Sequence, residues 1–237
     1  MSPNDTRKDT RRAAAATTVA APVGLADGGA GVAASQRVDD QTPLPPGAAW
    51  GAVARCVLTA AGLLLRHRVR LPSEWLGVRV RFADGTSSTV YRETALERSE
   101  PELPCVLVVK FRLRLVRGFG HRLFRWMSMA NTPLFIGFPG FVAKLWMAHD
   151  QQGVYRGVYQ WDGPGAAQAY ARSLWRVLAL VSEPGSIDYR VLPGQWRDEL
   201  LVRAAGPDLQ QEAQPGDWWR PVGVDREPTG APGSEER

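Results

Sequence analysis

The chain has 237 residues, is 44% hydrophobic and 22% charged, and carries a formal net charge of +5; that length suits one domain with appendages. Only Lys8, Lys110 and Lys144 among its 29 cationic side chains are lysines. The arginines are interleaved with acids and leave no basic stripe from residue 47 onward, which argues against a nucleic-acid partner. Two cysteines, Cys56 and Cys105, fit no metal or disulfide spacing, and His67, His121 and His149 lie far apart. This excludes an all-protein zinc site and fits a reducing, cytoplasmic setting.

Residues 1–46 contain no aromatic side chain and are rich in Ala, Gly, Thr and Asp. Such a composition cannot offset the entropy of ordering, so a disordered arm is expected. Thr10-Arg11-Arg12 before an Ala-rich run resembles a twin-arginine export signal. Pro22, Gly24, Asp27 and Gly28 break that run and Leu25 is its only leucine, so the segment is read as an arm.

Residues 47–100 are expected to form a helix-plus-hairpin appendage. The apolar run 50–67 is shorter than the ~20 residues needed to cross a bilayer and carries Arg55. Its Val57, Leu58, Ala61, Leu64 and Leu65 recur at helical spacing, which predicts a helix docked on the body through that stripe, with no membrane contact. Pro72 closes it. Ala83-Asp84-Gly85 between the alternating runs 76–82 and 86–91 marks a hairpin. Pro101 and Pro104 set the boundary of the next unit.

Residues 105–115 read as the first core strand. Leu107, Val109, Phe111, Leu113 and Leu115 give a fully apolar face that wants helices over it; Val106, Val108, Lys110, Arg112 and Arg114 give a mixed one. Leu123, Phe124, Met127 and Ala130 then trace a helix over 118–130, ended by Asn131-Thr132-Pro133. Runs 141–148 and 154–161 flank the polar turn 149–153 as a hairpin. Along it Phe141, Ala143, Leu145 and Met147 alternate with Val142, Lys144, Trp146 and Ala148. On the return, Tyr155, Gly157, Tyr159 and Trp161 alternate with Val154, Arg156, Val158 and Gln160. His149-Asp150 is read as turn chemistry. Asp162 is expected to N-cap a helix over 163–181, and Ile187, Tyr189 and Val191 fill one face of a last strand.

The order is β-α-β-β-α-β, the split βαβ arrangement. The predicted fold class is therefore α+β, a ferredoxin-like βαββαβ unit over residues 101–195 followed by a polar, mostly disordered tail over 196–237 that holds Trp218-Trp219. Helices on one face of the sheet leave Val106, Val108, Val142, Trp146 and Val158 on the other without cover. A two-fold homodimer through that face is expected.

The segments N-T-P-L-F-I-G-F-P-G-F-V-A-K-L-W (131–146), G-V-Y-R-G-V-Y-Q-W (153–161), A-Y-A-R-S-L-W-R-V-L (169–178) and P-G-S-I (184–187) resemble the dimeric α+β barrel superfamily. The likeness is to its antibiotic-biosynthesis and YdhR-like monooxygenases and covers about residues 105–193. It implies a four-stranded antiparallel sheet, two helices on one face, pairing through the other, and a cavity between sheet and helices or loops. It also implies oxidation of anthrone-type polyketide intermediates by oxygen with no metal or flavin, because an electron-rich enolate can itself reduce oxygen. The protein need only bind it, help remove a proton and stabilise the anion. A haem-binding branch of the superfamily is the alternative cofactor reading, and a non-catalytic small-molecule-binding or structural dimer is the alternative function. Fold alone does not choose among these.

The candidate catalytic residues are Arg156, Lys144, Asn131 and His121; the candidate substrate-binding residues are Trp126, Trp146, Tyr159, Tyr170 and Lys110; no metal ligands are assigned. Lys144, Arg156 and Lys110 stand on otherwise hydrophobic strands, where a cation must be paired or face a wet cavity. They form either an anion-stabilising cluster or a salt-bridge set with Asp162, Asp188 or Glu183. The tryptophans can stack on a flat ligand or simply pack. His121 is a general base, a haem ligand or a surface residue, and Asn131 either donates to a substrate oxygen or caps the turn.

Overall fold

The computed structural model of the chain describes residues 42–98, 100–114, 132–206 and 216–226. The expected arm up to residue 41, the expected helix over 118–130 with His121 and Trp126, and Asn131 lie outside the described residues.

Helix α1 (Pro46–Leu65) begins with proline in its first turn, where the missing N–H costs nothing. It buries Ala49, Val53, Cys56 and Ala60, so the expected docking stripe is corrected: Val57, Leu58, Leu64 and Leu65 all point outward. The helix is apolar nearly all round, so apolarity does not choose the inward face; size does. Gly137 lies against it so closely that a Cβ there would sit 2.0 Å from the Cys56 carbonyl oxygen and 2.9 Å from the Ala60 nitrogen. Only short side chains let the backbones approach this far. Gly137→Ala is expected to force the helix away and to cost about 1–3 kcal/mol, read as a lower urea midpoint with an unchanged m value.

The described strands are β1 (Val69–Arg70), β2 (Arg79–Phe82), β3 (Ser87–Leu96), β4 (Pro104–Arg112), β5 (Phe141–Met147), β6 (Val154–Asp162), β7 (Asp188–Pro193) and β8 (Pro221–Asp225). They form one antiparallel sheet in the order β7-β4-β6-β5-β3-β2-β8, with β1 on β3. A 3₁₀ turn (Thr132–Leu134), α2 (Pro164–Val181) and α3 (Arg197–Ala204) complete the described elements. The predicted hairpin is present: Asp84 accepts from the Thr86 N–H and hydroxyl, and Gly85 takes φ 79°. It does not stand apart, however, because β3 pairs with β5 over Val90–Ala95 and continues the central sheet.

The two faces of the sheet carry separate cores. On one, Leu107, Val109, Tyr189 and Val191 pack against Ala167, Tyr170 and Ala171 of α2 and Cys56 and Ala60 of α1, as the apolar face of β4 requires. On the other, Val106, Val108, Leu145, Met147 and Val158 are buried beneath Trp75, Val80, Phe82, Val90, Leu201 and Trp218. The sheet therefore curls, bringing its β2–β8 side over the same face as β4 and β6. This corrects the expectation of an uncovered face. Residues 75–90, α3 and Trp218 from the expected tail supply its cover, so no second copy is needed to bury this face.

Two local departures follow from geometry. The β5–β6 register shifts between Phe141 and Ala143. Such a bulge breaks the period-two alternation, so Phe141 shares the helix-side core with Trp146 while Leu145 and Met147 face the other way. Asp162 ends β6 and is not a helix cap. Its carboxylate accepts from the Leu103 N–H and from Arg98, while Gly163 at φ 99° leads into α2.

Candidate functional site

Four of the candidate residues converge on the helix-covered face. Lys144 and Trp146 alternate on β5 so that both point there, Tyr159 arrives from β6 and Tyr170 from α2. The Lys144 Nζ lies 3.3 Å from the Trp146 ring centroid and 4.7 Å from those of Phe135 and Tyr159. The side chain is 7% exposed and has no ion-pair partner among the described residues. Trp146 is fixed by donating its Nε1–H to Thr94 Oγ1 at 3.1 Å and by an edge contact with Phe135 at 5.2 Å. Tyr170 donates to the Tyr159 hydroxyl at 3.3 Å.

Arg92 of β3 is a second cation at this box. It donates to Thr132 Oγ1 at 2.9 Å and sits 5.3 Å from the Trp146 ring centroid. Its buried Nη1 has no hydrogen-bond partner among the described residues. Burial pushes the Lys144 amine well below the usual lysine range, and the charge of Arg92 pushes it the same way. Burial also holds both phenols above the usual tyrosine range, so they stay protonated near neutral pH. Cys56 borders the box, but its thiol donates to the Pro133 carbonyl at 3.2 Å and burial pushes it up to about 11, which leaves it unreactive.

The remaining described candidates lie on the opposite face. Arg156 is 3% exposed, bonds Asp150 at 2.7 Å and Asp84 at 2.5 Å, and stacks on Phe82 at 4.6 Å. Asp150 also accepts from the N–H groups of Gln152 and Val154, each at 2.9 Å. It is turn chemistry, as expected, and a buried counter-ion as well. Lys110 pairs with Asp188 at 3.7 Å and lies 4.4 Å over Trp218. Asp162 and Glu183 are taken by Arg98 and Arg112. The expected three-cation cluster is thus corrected to one cation, Lys144, on the helix side, with Arg156 and Lys110 in ion pairs across the sheet. Arg92 was missed because its strand was read as an appendage. A buried pair, Arg197 with Glu93 at 2.7 Å, was missed for the same reason.

No protein-family profile matches the chain, and no curated protein does. A solved structure described as a crystal structure study of an anthrone oxidase-like protein is similar, at 17% identity and a TM-score of 0.32. The match covers 46% of this chain and 54% of that one, so the chain spans about half the length of that protein. Similarity at this level assigns neither family nor activity.

Lys144 and Arg92 set two basic groups against the Trp146 and Phe135 rings, and a lysine in its neutral form there can take a proton. The ammonium so formed, with Arg92 beside it, then faces the anion left behind. Among the described residues no group of three His, Cys, Asp or Glu side chains is placed to hold a metal ion. The haem alternative rests on His121, outside the described residues.

Proposed function

We propose that the chain binds an aromatic or polyketide-like small molecule in the Lys144 box and acts on it as a cofactor-independent monooxygenase-like enzyme. The observation that carries this reading is a lysine amine enclosed by Trp146, Phe135 and Tyr159, beside Arg92 and without a carboxylate among the described residues. An acid partner would hold a structural lysine protonated; burial and a neighbouring cation do the opposite, which is how a lysine becomes a base. The spatial order β7-β4-β6-β5 supports placing the site in a ferredoxin-like α+β barrel, the fold the sequence resemblance implies.

In this reading Lys144 removes a proton from the activated methylene of an anthrone-type substrate. The resulting enolate is held by the new ammonium and Arg92, in the manner of an oxyanion hole. It gives its electron pair to oxygen, forming a carbon-bound hydroperoxide after protonation. Loss of water leaves the ketone, so one oxygen atom enters the product, the other leaves as water, and the substrate supplies the electrons. Arg156 and Lys110 take no part.

The test is oxygen consumption on adding anthrone to the purified protein, with quinone formation followed by absorbance. Equal molar uptake of oxygen and formation of quinone, above the rate without protein, supports the enzyme. Saturable binding of anthrone or anthraquinone with no protein-dependent oxygen uptake overturns it in favour of a non-catalytic small-molecule-binding module.

A further inference from the structure

Most of the large apolar side chains that the described chain leaves exposed lie on or beside α1. The helix turns outward Trp50 (50% exposed), Val57, Leu58 (75%), Leu64 and Leu65 (82%), at positions that fall on one stripe. From Trp50 to Leu65 that stripe runs about 23 Å along the helix. At the Trp50 end it continues onto Leu180 and Val181 of α2, both exposed. A groove of about 390 Å³ lined by Trp50, Trp175, Arg176 and Leu180 joins the two helices. Apolar surface this continuous marks an interaction site, not a solvent face.

Charge decides among occupants. From residue 41 to residue 73 the sequence holds Arg55, Arg66, Arg68 and Arg70 and no Asp or Glu. Arg55 stands on the helix, Arg66 follows its last turn, and at the other end Arg114 reaches the Leu180 carbonyl while Arg176 lines the groove. The acids near this rim are taken: the Glu97 carboxylate pairs with Arg70, while Arg68 donates to the Glu97 main-chain carbonyl, and Glu183 pairs with Arg112. Two copies meeting through this face would set arginine against arginine with no acid on the helix to pair them. An anionic lipid surface supplies the missing charge, and its headgroup region suits Trp50.

We propose that the outward face of α1 is a peripheral docking surface for an anionic membrane, with the helix lying flat in the headgroup layer. It does not need to leave the body to do so, because Ala49, Val53, Cys56 and Ala60 stay buried against Gly137 and α2. This departs from the sequence expectation of no membrane contact, which assumed that the outward stripe was the docked one. It is independent of the chemistry assigned to Lys144.

The test is co-sedimentation of the full chain with vesicles of phosphatidylcholine alone or mixed with phosphatidylglycerol. Binding is expected to the mixed vesicles only and to weaken with salt. Leu58→Glu with Leu65→Glu, at two exposed positions that should leave the fold intact by circular dichroism, should weaken it at least about tenfold. Arg55→Gln with Arg66→Gln should weaken it while keeping the apolar stripe. Three results overturn the proposal: no binding to either vesicle, retention through an alkaline carbonate wash, or a dimer by light scattering that the leucine variant dissociates. The second would mean a spanning helix and the third a second copy on this face.

Discussion

Replacing Arg156 with methionine is expected to cost about 3–5 kcal/mol of stability, because it leaves a buried charge without its partner. At about 2–4 °C per kcal/mol for a chain of this size, the melting temperature should fall by roughly 6–20 °C. Asp150 is the reason. Its side chain is fully buried, one oxygen accepts two backbone N–H groups of the turn, and the other faces Arg156. Asp84 is partly exposed and can be rehydrated. The variant Arg156→Met with Asp150→Asn keeps an acceptor for the turn and removes the orphaned charge, so it should recover a good part of the loss. A coupling of that sign in a double-mutant cycle by urea unfolding is the expected reading. Oxygen uptake should stay within a few-fold of the parent, since the sheet separates Arg156 from the Lys144 box. Unchanged stability with lost uptake would return Arg156 to the reaction.

The division between Arg156 and Lys144 was already written in the strand parity. Arg156 and Tyr159 are three residues apart on β6 and so cannot share a face, and Tyr159 pairs across to Lys144 while Arg156 pairs across to Lys110. A site containing both Arg156 and Tyr159 was inconsistent with the alternation that defined the strand. The apolar face of β4 and the stripe of α2 were legible because each stands opposite a polar or mixed side. Helix α1 was misread because it has none, and the inward face was selected by the backbone approach of Gly137, which no pattern of polarity encodes. Three other features depend on contacts distant in sequence: the bulge after Phe141, the β3–β5 pairing that delivers Arg92, and the cover that Trp218 gives Val106 and Val108. A local pattern carries no signal for them. Lys144 itself was legible as a cation on an apolar strand; that its partners are rings and not acids was not.

Lys144→Met should therefore do two opposite things. Removing a general base or a preorganised cation from a water-excluded site lowers turnover by about 10²–10³, so oxygen uptake should fall close to the uncatalysed rate. Stability should rise by a few degrees at neutral pH, since methionine fills the box without a buried amine to desolvate. The pH dependence separates this from simple repacking. The folded pKa of Lys144 lies below its unfolded value, which is near 10.4, so between the two the folded chain holds fewer protons than the unfolded one. Parent stability must then climb with pH through that interval. The cost of burying the amine is felt in full below the folded pKa and is relieved as pH approaches 10.4. The variant lacks this climb, so its advantage should be largest at pH 6 and shrink toward pH 9.5; beyond that, deprotonation of Tyr159 and Tyr170, whose raised pKa values make the folded state less stable at high pH, complicates both proteins. Lys144→Arg completes the set by keeping a cation that cannot give up its proton near neutral pH. An inactive arginine variant places the proton transfer on Lys144, while an active one assigns it only charge. A melting-temperature gap that does not change with pH would mean the amine stays protonated throughout, held by the aromatic faces, and the base role would fail.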